Sequence, residues 1–373
     1  MSEFIPVNEP RLVGKEAEYL AECIESGWVS SEGPFVSRFE NEFADMTGRQ
    51  FGIAVSNGTA ALDVAVAALR LGPGDEVIVP TFSIISCVSA IVRAGATPVL
   101  VDCVPDSFNA DPDLIGGLIT ARTRAIMVVH TYGLPVDMAP ILEIAKEFGL
   151  SVIEDAAEAI GQTYEGRKCG SFGIVSVFSF YANKHITTGE GGMLVTDDSE
   201  IADRCRLLRN LAFEPEHRFV HRELGWNYRM TNLQAAVGVA QLENLDSAVK
   251  RKREIGLAYS RLLADVEMLE LPPIETPFAE NLFWVFGVVL RDDFPPSPAD
   301  VMSALSAKGI GTRPFFWPAH EQPAFQDMGL FVGETHPRAE RLARRGFYLP
   351  SGLAITDSQL EKVSSAVRAA VLS

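Results

Sequence analysis

A single lysine stands between an aromatic run and a glycine-rich turn in the segment SFYANKHITTGEGG, which begins at residue 179. Lys184 follows the apolar run SVFSFY at 176–181, for which the pattern predicts a β-strand. A lone lysine in a loop is usually solvated, because its ammonium group is rarely buried without a partner. At the end of a buried strand, however, its amine could condense with an aldehyde.

Two other segments carry groups that would complement this amine. Asp155 ends the apolar strand VIED, and ligands of parallel sheets bind at such strand ends. A carboxylate there commonly caps the next helix, which is our interpretation of Glu154, or it pairs with a protonated heterocyclic nitrogen. In SNGTAA at 56–61, a strand passes into a helix, so Gly58 and Thr59 lie where free N–H groups can bind a phosphate. An ordinary N-cap is the alternative.

Ser179 lies five residues before Lys184, and its hydroxyl reaches the same phosphate if the intervening loop folds back. Together these groups supply phosphate ligands, a carboxylate for a pyridinium nitrogen and an amine for an aldehyde, which are the three requirements of pyridoxal phosphate. The sequence therefore predicts a pyridoxal-phosphate enzyme in which Lys184 also moves a proton as general base and acid. The glycines at 189, 191 and 192 would allow a tight turn beside the cofactor.

The elements around these groups alternate between short β-branched runs and longer amphipathic segments, which indicates a mainly parallel sheet covered on both faces. The predicted strands are GIAVS at 52–56, EVIVP at 76–80, TPVLVD at 97–102, AIMVVH at 125–130, SVIED at 151–155, SVFSFY at 176–181 and GMLVT at 192–196. After residue 240 the pattern changes to long helices, then to LFWVFGVVL, a helix at 298–308 and a terminal helix from 357. We predict a large α/β cofactor domain over 1–250 and a smaller C-terminal α+β domain over 251–373.

Composition excludes several classes of protein. The 373 residues carry a formal net charge of −17, which argues against nucleic acid and against an anionic membrane surface as partners. No signal peptide and no bilayer-spanning apolar run is visible. The five cysteines are scattered without a CxxC, which favours reduced thiols in the cytoplasm. No metal site is expected, because His217 and His221 have no acidic or sulfur partner at matching spacing.

The order of several runs resembles the DegT/DnrJ/EryC1/StrS family of sugar aminotransferases. These runs are SNGTAAL, IEDAAEAIG, SFYANK, TTGEGGMLVTDD and LGWNYRMTNLQAA, together with GWVSSEGPF at 27–35 and the late TRPFF. The similarity extends over nearly the whole chain, and NKHITTGEGGM and GWNYRMTNLQAA are most similar to the branch that makes GDP-perosamine. The resemblance implies a fold-type-I pyridoxal-phosphate homodimer, in which each active site contains residues of both subunits.

Position in these motifs implies a role for individual residues. Lys184 matches the Schiff-base lysine and Asp155 the partner of the pyridine nitrogen. The other matches are Gly58, Thr59 and Ser179 as phosphate ligands, Glu158 facing the phenolic oxygen, and Asn227 reaching the phosphate from the other subunit. Arg229 matches either a ligand of the donor's carboxylate or a structural ion pair, and Arg313 and His320 lie in a late substrate-facing segment.

Two positions depart from the family pattern. Ile84, in TFSIIS, stands where the family usually stacks an aromatic side chain on the cofactor ring, so stacking is lost unless Phe82 supplies it. Trp317, in RPFFWPAH, stands where the perosamine branch carries histidine. The second departure affects the identity of the sugar more than the class of reaction.

The resemblance implies transamination at C4 of a nucleotide-linked 4-keto-6-deoxy sugar with glutamate as donor. GDP-4-keto-6-deoxymannose is the first expected substrate, in a pathway to cell-surface polysaccharide such as O-antigen. Another keto sugar or a phosphorylated ketone is the alternative. A dehydratase branch of the same fold carries histidine in place of the lysine. His185 directly follows Lys184, so an alignment shifted by one residue would place this histidine at the functional position. The spacing from Ser179 favours Lys184 as the functional position.

Overall fold

The computed structural model of the chain describes residues 4–214, 216–294 and 296–372. Up to residue 200 the strands are β1 (Phe51–Val55), β2 (Glu76–Pro80), β3 (Thr97–Val101), β4 (Thr123–Val129), β5 (Ser151–Asp155), β6 (Thr163–Tyr164), β7 (Arg167–Lys168), β8 (Val175–Ser179) and β9 (Gly192–Thr196). The helices before residue 245 are α1 (Glu16–Ser26), α2 (Pro34–Thr47), α3 (Gly58–Ala68), α4 (Ile85–Arg93), α5 (Pro112–Ile115), α6 (Met138–Phe148), α7 (Ser199–Arg209) and α8 (Asn232–Leu242). The seven predicted strands are present: three have the predicted bounds, and the ends of the other four differ by at most two residues.

Seven of these strands form one sheet in the order β1-β9-β8-β5-β4-β2-β3. Five consecutive strands of this sheet are parallel to one another, namely β8, β5, β4, β2 and β3. Strand β9 is antiparallel to both of its neighbours, β8 and β1. Since β1 and β8 are both antiparallel to β9, they run in the same direction. The carboxyl ends of β1, β4, β5 and β8 therefore lie at one edge of the sheet. The mainly parallel α/β fold is confirmed.

Helices bury both faces of this sheet, because its strands send successive side chains to opposite sides. Ile153 and Val177 pack into the apolar layer under α3, α4 and α7, while Val152 and Phe178 pack into layers on the other face. This alternation explains why the strands read as nearly continuous apolar runs. It also separates two neighbouring carboxylates at the end of β5.

Glu154 points to the face opposite Asp155 and is fully buried. Its oxygens accept hydrogen bonds from the amides of Gly170, Phe172 and Gly173, the hydroxyl of Ser176 and the ring of His130. Burial alone would raise the pKa of Glu154, but the bonds from His130 and the amides outweigh it and lower the pKa to about 2. Our interpretation of Glu154 as a helix cap is wrong: it fixes the turn before β8.

A second, smaller sheet follows in the C-terminal part, in the order β10-β13-β15-β14 with antiparallel pairs. The elements after residue 244 are α9 (Leu245–Leu263), β10 (Leu269–Glu270), β11 (Glu275–Thr276), β12 (Ala279–Glu280), β13 (Phe286–Leu290), α10 (Pro298–Ala307), β14 (Arg313–Pro314), α11 (Pro323–Gln326), α12 (Pro337–Arg345), β15 (Gly346–Leu349) and α13 (Asp357–Leu372). Helix α9 runs across residue 250, and the division there stays a prediction. Among the described residues, no helix has the length and apolar character needed to cross a bilayer.

Candidate active site

A cavity of about 610 Å³ opens at the edge of the large sheet where β1, β5 and β8 end. Its wall includes the start of α3, the ends of β5 and β8, and the loop that contains Lys184. Three aromatic residues of the C-terminal part complete it, namely Trp284, Phe316 and Tyr348. The predicted lysine, carboxylate and phosphate segments therefore meet in one place.

Lys184 reaches this cavity with a side chain that is only 9% exposed. Its Nζ lies 3.5 Å from Oε1 of Glu158 and 3.8 Å from the centre of the Trp284 ring. Burial lowers the pKa of Lys184 below that of a solvated lysine, although Glu158 and Asp155 oppose this effect. A lowered pKa increases the fraction of neutral amine, which is the form that attacks an aldehyde.

Asp155 lies in the same cavity at 4% exposure. Its Oδ1 accepts a hydrogen bond from the amide of Ala157 at 3.0 Å, and its Oδ2 accepts one from the thiol of Cys87 at 3.2 Å. Burial raises the pKa of Asp155, while these two bonds and the charge of Lys184 partly offset the increase. A cationic group bound beside Asp155 would favour its ionised form.

Glu158 is the second buried carboxylate of the cavity. Its Oε2 accepts a hydrogen bond from the amide of Tyr132 at 2.7 Å. Tyr132 has a φ of 58°, in the left-handed region that non-glycine residues rarely adopt, and this conformation directs its amide at the carboxylate. Burial raises the pKa of Glu158 to about 7, against the opposing effect of Lys184. Glu158 can therefore exchange a proton near neutral pH.

The start of α3 forms a concave surface with three hydroxyl groups. Asn57 caps this helix by accepting a hydrogen bond from the amide of Ala60 at 2.8 Å. The hydroxyls of Thr59 and Ser86 lie 2.8 Å apart, and both residues line the cavity together with Ser179. A Cβ at Gly58 would lie 2.8 Å from Cβ of Ser179, so only glycine permits this approach. The amides and hydroxyls together suit a phosphate.

Comparison with known proteins extends the sequence similarity to almost the full length of the chain. The model of the DegT/DnrJ/EryC1/StrS aminotransferase family matches residues 10–368. The chain belongs to this family. It is an aminotransferase, and its cofactor is pyridoxal phosphate.

Two curated relatives and one solved structure illustrate the similarity. The GDP-perosamine synthase of Caulobacter vibrioides is 42% identical over 363 residues, which cover 97% of each chain. That of Escherichia coli O157:H7 is 42% identical over 358 residues and 96% of each chain. The crystal structure of DesV from S. venezuelae is 36% identical, covers 95% of this chain and 94% of its own, and superimposes with a TM-score of 0.87.

The cavity of this family member fits its cofactor in charge and shape. Thr59, Ser86 and Ser179 with the first amides of α3 would hold the phosphate, and the absent Cβ of Gly58 leaves that surface open. Asp155 would face the ring nitrogen, and Glu158 would face the phenolic oxygen. The cofactor supplies an electron sink for the breaking of a Cα–H bond.

Other predicted residues lie elsewhere. Asn227 is exposed, its Oδ1 accepts a hydrogen bond from Nε of Arg229 at 2.9 Å, and neither lines the cavity of its own chain. Arg313, Trp317 and His320 are also absent from the lining of this cavity. His320 is 2% exposed and bonds to Thr81 and Glu340 instead. The proposed roles of these five residues stay predictions.

Ile84 and Phe82, the two residues considered as cover for the cofactor ring, lie in different surroundings. Ile84 lines the cavity and is 42% exposed, so an aliphatic side chain occupies the position where the family pattern has an aromatic one. Phe82 is fully buried against Tyr132, Phe315 and Phe316, outside the cavity lining. Phe82 does not supply the aromatic surface that we considered as an alternative.

Sequence reasoning missed several contributors to the site, among them Ser86, Cys87, Tyr132 and Trp284. Ser86 and Cys87 are in the first turn of α4 directly after TFSII, and a polar pair at the start of a helix beyond a parallel strand was the available signal. The unusual backbone of Tyr132 has no comparable signal. Trp284 is a hundred residues from Lys184 in the chain and reaches it only through the tertiary fold.

The close approach of Gly58 to Ser179 leads to a prediction about cofactor affinity. In Gly58→Ala, the new Cβ displaces Ser179 and the start of α3, so phosphate hydrogen bonds are lost. Loss of one charge-assisted bond corresponds to an increase of about 10- to 100-fold in the dissociation constant of the cofactor. Fluorescence titration of the cofactor-free protein measures it. Gly116→Ala is the control, since a Cβ there meets nothing within 4 Å. Equal affinities in the two variants would place the phosphate elsewhere.

Proposed function

We propose that the protein transfers an amino group from glutamate to C4 of GDP-4-keto-6-deoxymannose, and that the product serves cell-surface polysaccharide such as O-antigen. One observation carries this proposal: the amine of Lys184 and the carboxylate of Asp155 line one cavity beside a phosphate-binding helix start. The similarity to two GDP-perosamine synthases over nearly the full chain supports the choice of sugar and nucleotide.

Each buried group would have a separate task in the reaction. The amine at Nζ of Lys184 would take a proton from the donor's Cα and return it to the carbon on the other side of the transferred nitrogen, as general base and then general acid. Glu158, at 3.5 Å, stabilises the ammonium form of Lys184 between these transfers. Asp155 keeps the ring nitrogen protonated, which maintains the electron sink.

The dehydratase alternative depends on the residue next to Lys184. His185 is 3% exposed, and its Nε2 lies 2.7 Å from the carbonyl oxygen of Ile160. It is absent from the cavity lining, whereas Lys184 is part of it. Burial lowers the pKa of His185 to about 3, so its ring is neutral at neutral pH, and its Nε2–H is occupied by the Ile160 carbonyl oxygen. This placement favours transamination over histidine-based dehydration.

A homodimer with composite sites is part of the proposal. The extended run 226–229 directs Tyr228 into the cavity of its own chain, and side chains alternate along an extended backbone. Asn227 and Arg229 therefore lie on the opposite side, where they can serve a second subunit as phosphate and donor ligands. The five cysteines are free and buried, which supports a reducing compartment and hence the cytoplasm.

An assay with two nucleotide sugars tests the proposed reaction. The holoenzyme with glutamate should aminate GDP-4-keto-6-deoxymannose faster than its dTDP-linked counterpart, as measured by mass spectrometry of the product. Lys184→Ala should reduce turnover by at least about 10²- to 10⁴-fold, because it removes the general base. Lys146→Ala, on helix α6, should match the wild type. Unchanged turnover in Lys184→Ala contradicts the mechanism, and amination of only the dTDP sugar contradicts the proposed nucleotide.

Mixing two inactive variants tests the composite site. Lys184→Ala and Arg229→Ala subunits are combined and allowed to exchange. In a mixed dimer one site collects both defects and the other collects none, so about a quarter of all sites should regain activity. Native mass spectrometry verifies the exchange. If exchange is complete and activity does not return, Arg229 acts within its own subunit and the composite site is wrong.

A further inference from the structure

The aromatic face beside Lys184 belongs to Trp284, which precedes strand β13 of the smaller sheet. We propose that Trp284 is a positioning residue that holds the ammonium of Lys184 on its indole face whenever the amine is free of the cofactor. This inference rests on the proposed function of Lys184 as the base that moves the proton. It assigns a direct role in the site to the C-terminal part of the chain.

The geometry of the contact suits a cation–π interaction. Nζ of Lys184 lies 3.8 Å from the centre of the ring, well within the range over which an aromatic face attracts a cation. The carboxylate of Glu158 contacts the same ammonium at 3.5 Å. Because the Lys184 side chain is only 9% exposed, water screens this attraction weakly. The amine is thus held between a carboxylate and a neutral ring.

Trp284 is held in place through both its ring and its backbone. Nε1 of Trp284 donates a hydrogen bond at 3.1 Å to the carbonyl oxygen of Asn183, the residue directly before Lys184. The backbone of Trp284 comes so close to Gly133 that a Cβ there would lie 2.7 Å from the Trp284 amide nitrogen. Gly133 also has a φ of +93°, which favours glycine. The fold therefore holds the ring against the lysine loop.

The two partners of the ammonium respond differently to pH. Glu158, whose pKa is raised to about 7, loses its charge when it takes up a proton, and its attraction for the ammonium then weakens. The ring face of Trp284 carries no titratable charge. Trp284 can therefore hold the amine in place through a step in which Glu158 becomes protonated.

The pH dependence of Lys184 reactivity in the cofactor-free protein tests this role. Reductive methylation with formaldehyde and cyanoborohydride reports the neutral amine, and peptide mass spectrometry locates the modified residue. In Trp284→Leu the ammonium loses its ring partner, so the midpoint should move to lower pH by about one unit. Trp284→Phe keeps a ring and should shift by less than half of that. Glu158→Gln also removes an attraction and must shift the midpoint downward if the assay is sound.

Fluorinated tryptophan tests the same contact without a change of shape. Fluorine withdraws electron density from the ring face, so the midpoint of Lys184 should fall stepwise with each added fluorine. All four tryptophans are labelled, and Trp284→Phe with the same labels is the control, in which the midpoint should not move. In the holoenzyme, the same series should reduce kcat with little change in the KM for glutamate.

Two results would overturn the inference. One is a midpoint that is equal in the wild type and in the fluorinated protein. The other is a fluorine effect that persists in Trp284→Phe. Neither depends on which sugar the enzyme accepts, since the titration uses cofactor-free protein. A failure of sugar amination with a normal Lys184 titration would refute the proposed substrate and leave the role of Trp284 intact.

Discussion

Burial of one amine with two carboxylates is the constraint on which the rest of the site depends. Lys184, Asp155 and Glu158 line one cavity and are each less than a tenth exposed, and removal of charged groups from water is costly without partners. One ammonium cannot balance two carboxylates. Burial raises the pKa of both Asp155 and Glu158, and the charge of Lys184 only partly offsets this increase. A cofactor with a protonated ring nitrogen would supply the missing positive charge, and the start of α3 would receive its phosphate.

The sheet separates catalytic from structural groups by the alternation of side chains. Glu154 and Asp155 are adjacent in the chain, but they face opposite sides of β5. Glu154 has its hydrogen bonds satisfied by the turn before β8, and its pKa is lowered to about 2, so it stays ionised and inert. Asp155 accepts two hydrogen bonds and faces the cavity. The alternation of side chains along β5 therefore places Asp155 in the cavity and Glu154 in the structural turn.

The sequence was sufficient for the parts of the site that lie close together in the chain. Ser179 ends β8 and Lys184 lies in the loop that follows, and Gly58 with Thr59 belong to one strand-to-helix junction, so local pattern located them. The strands were predictable because their Val and Ile runs are buried on both faces. Tyr132 was not, since its left-handed backbone is imposed by surrounding packing. Trp284 was not, because only the docking of the C-terminal part brings it to Lys184. Residues that we predict to serve a partner subunit, such as Asn227, depend on an assembly that one chain does not contain.

We propose that Asp155 keeps the ring nitrogen of the bound cofactor protonated. The most direct test is the ¹⁵N chemical shift of that nitrogen in labelled pyridoxal phosphate bound to the enzyme at neutral pH. A pyridinium shift in the wild type, which changes to that of a neutral pyridine in Asp155→Asn, is the result that we expect. A neutral pyridine shift in the wild type would contradict the account, because the charge balance of the buried site would then have another source.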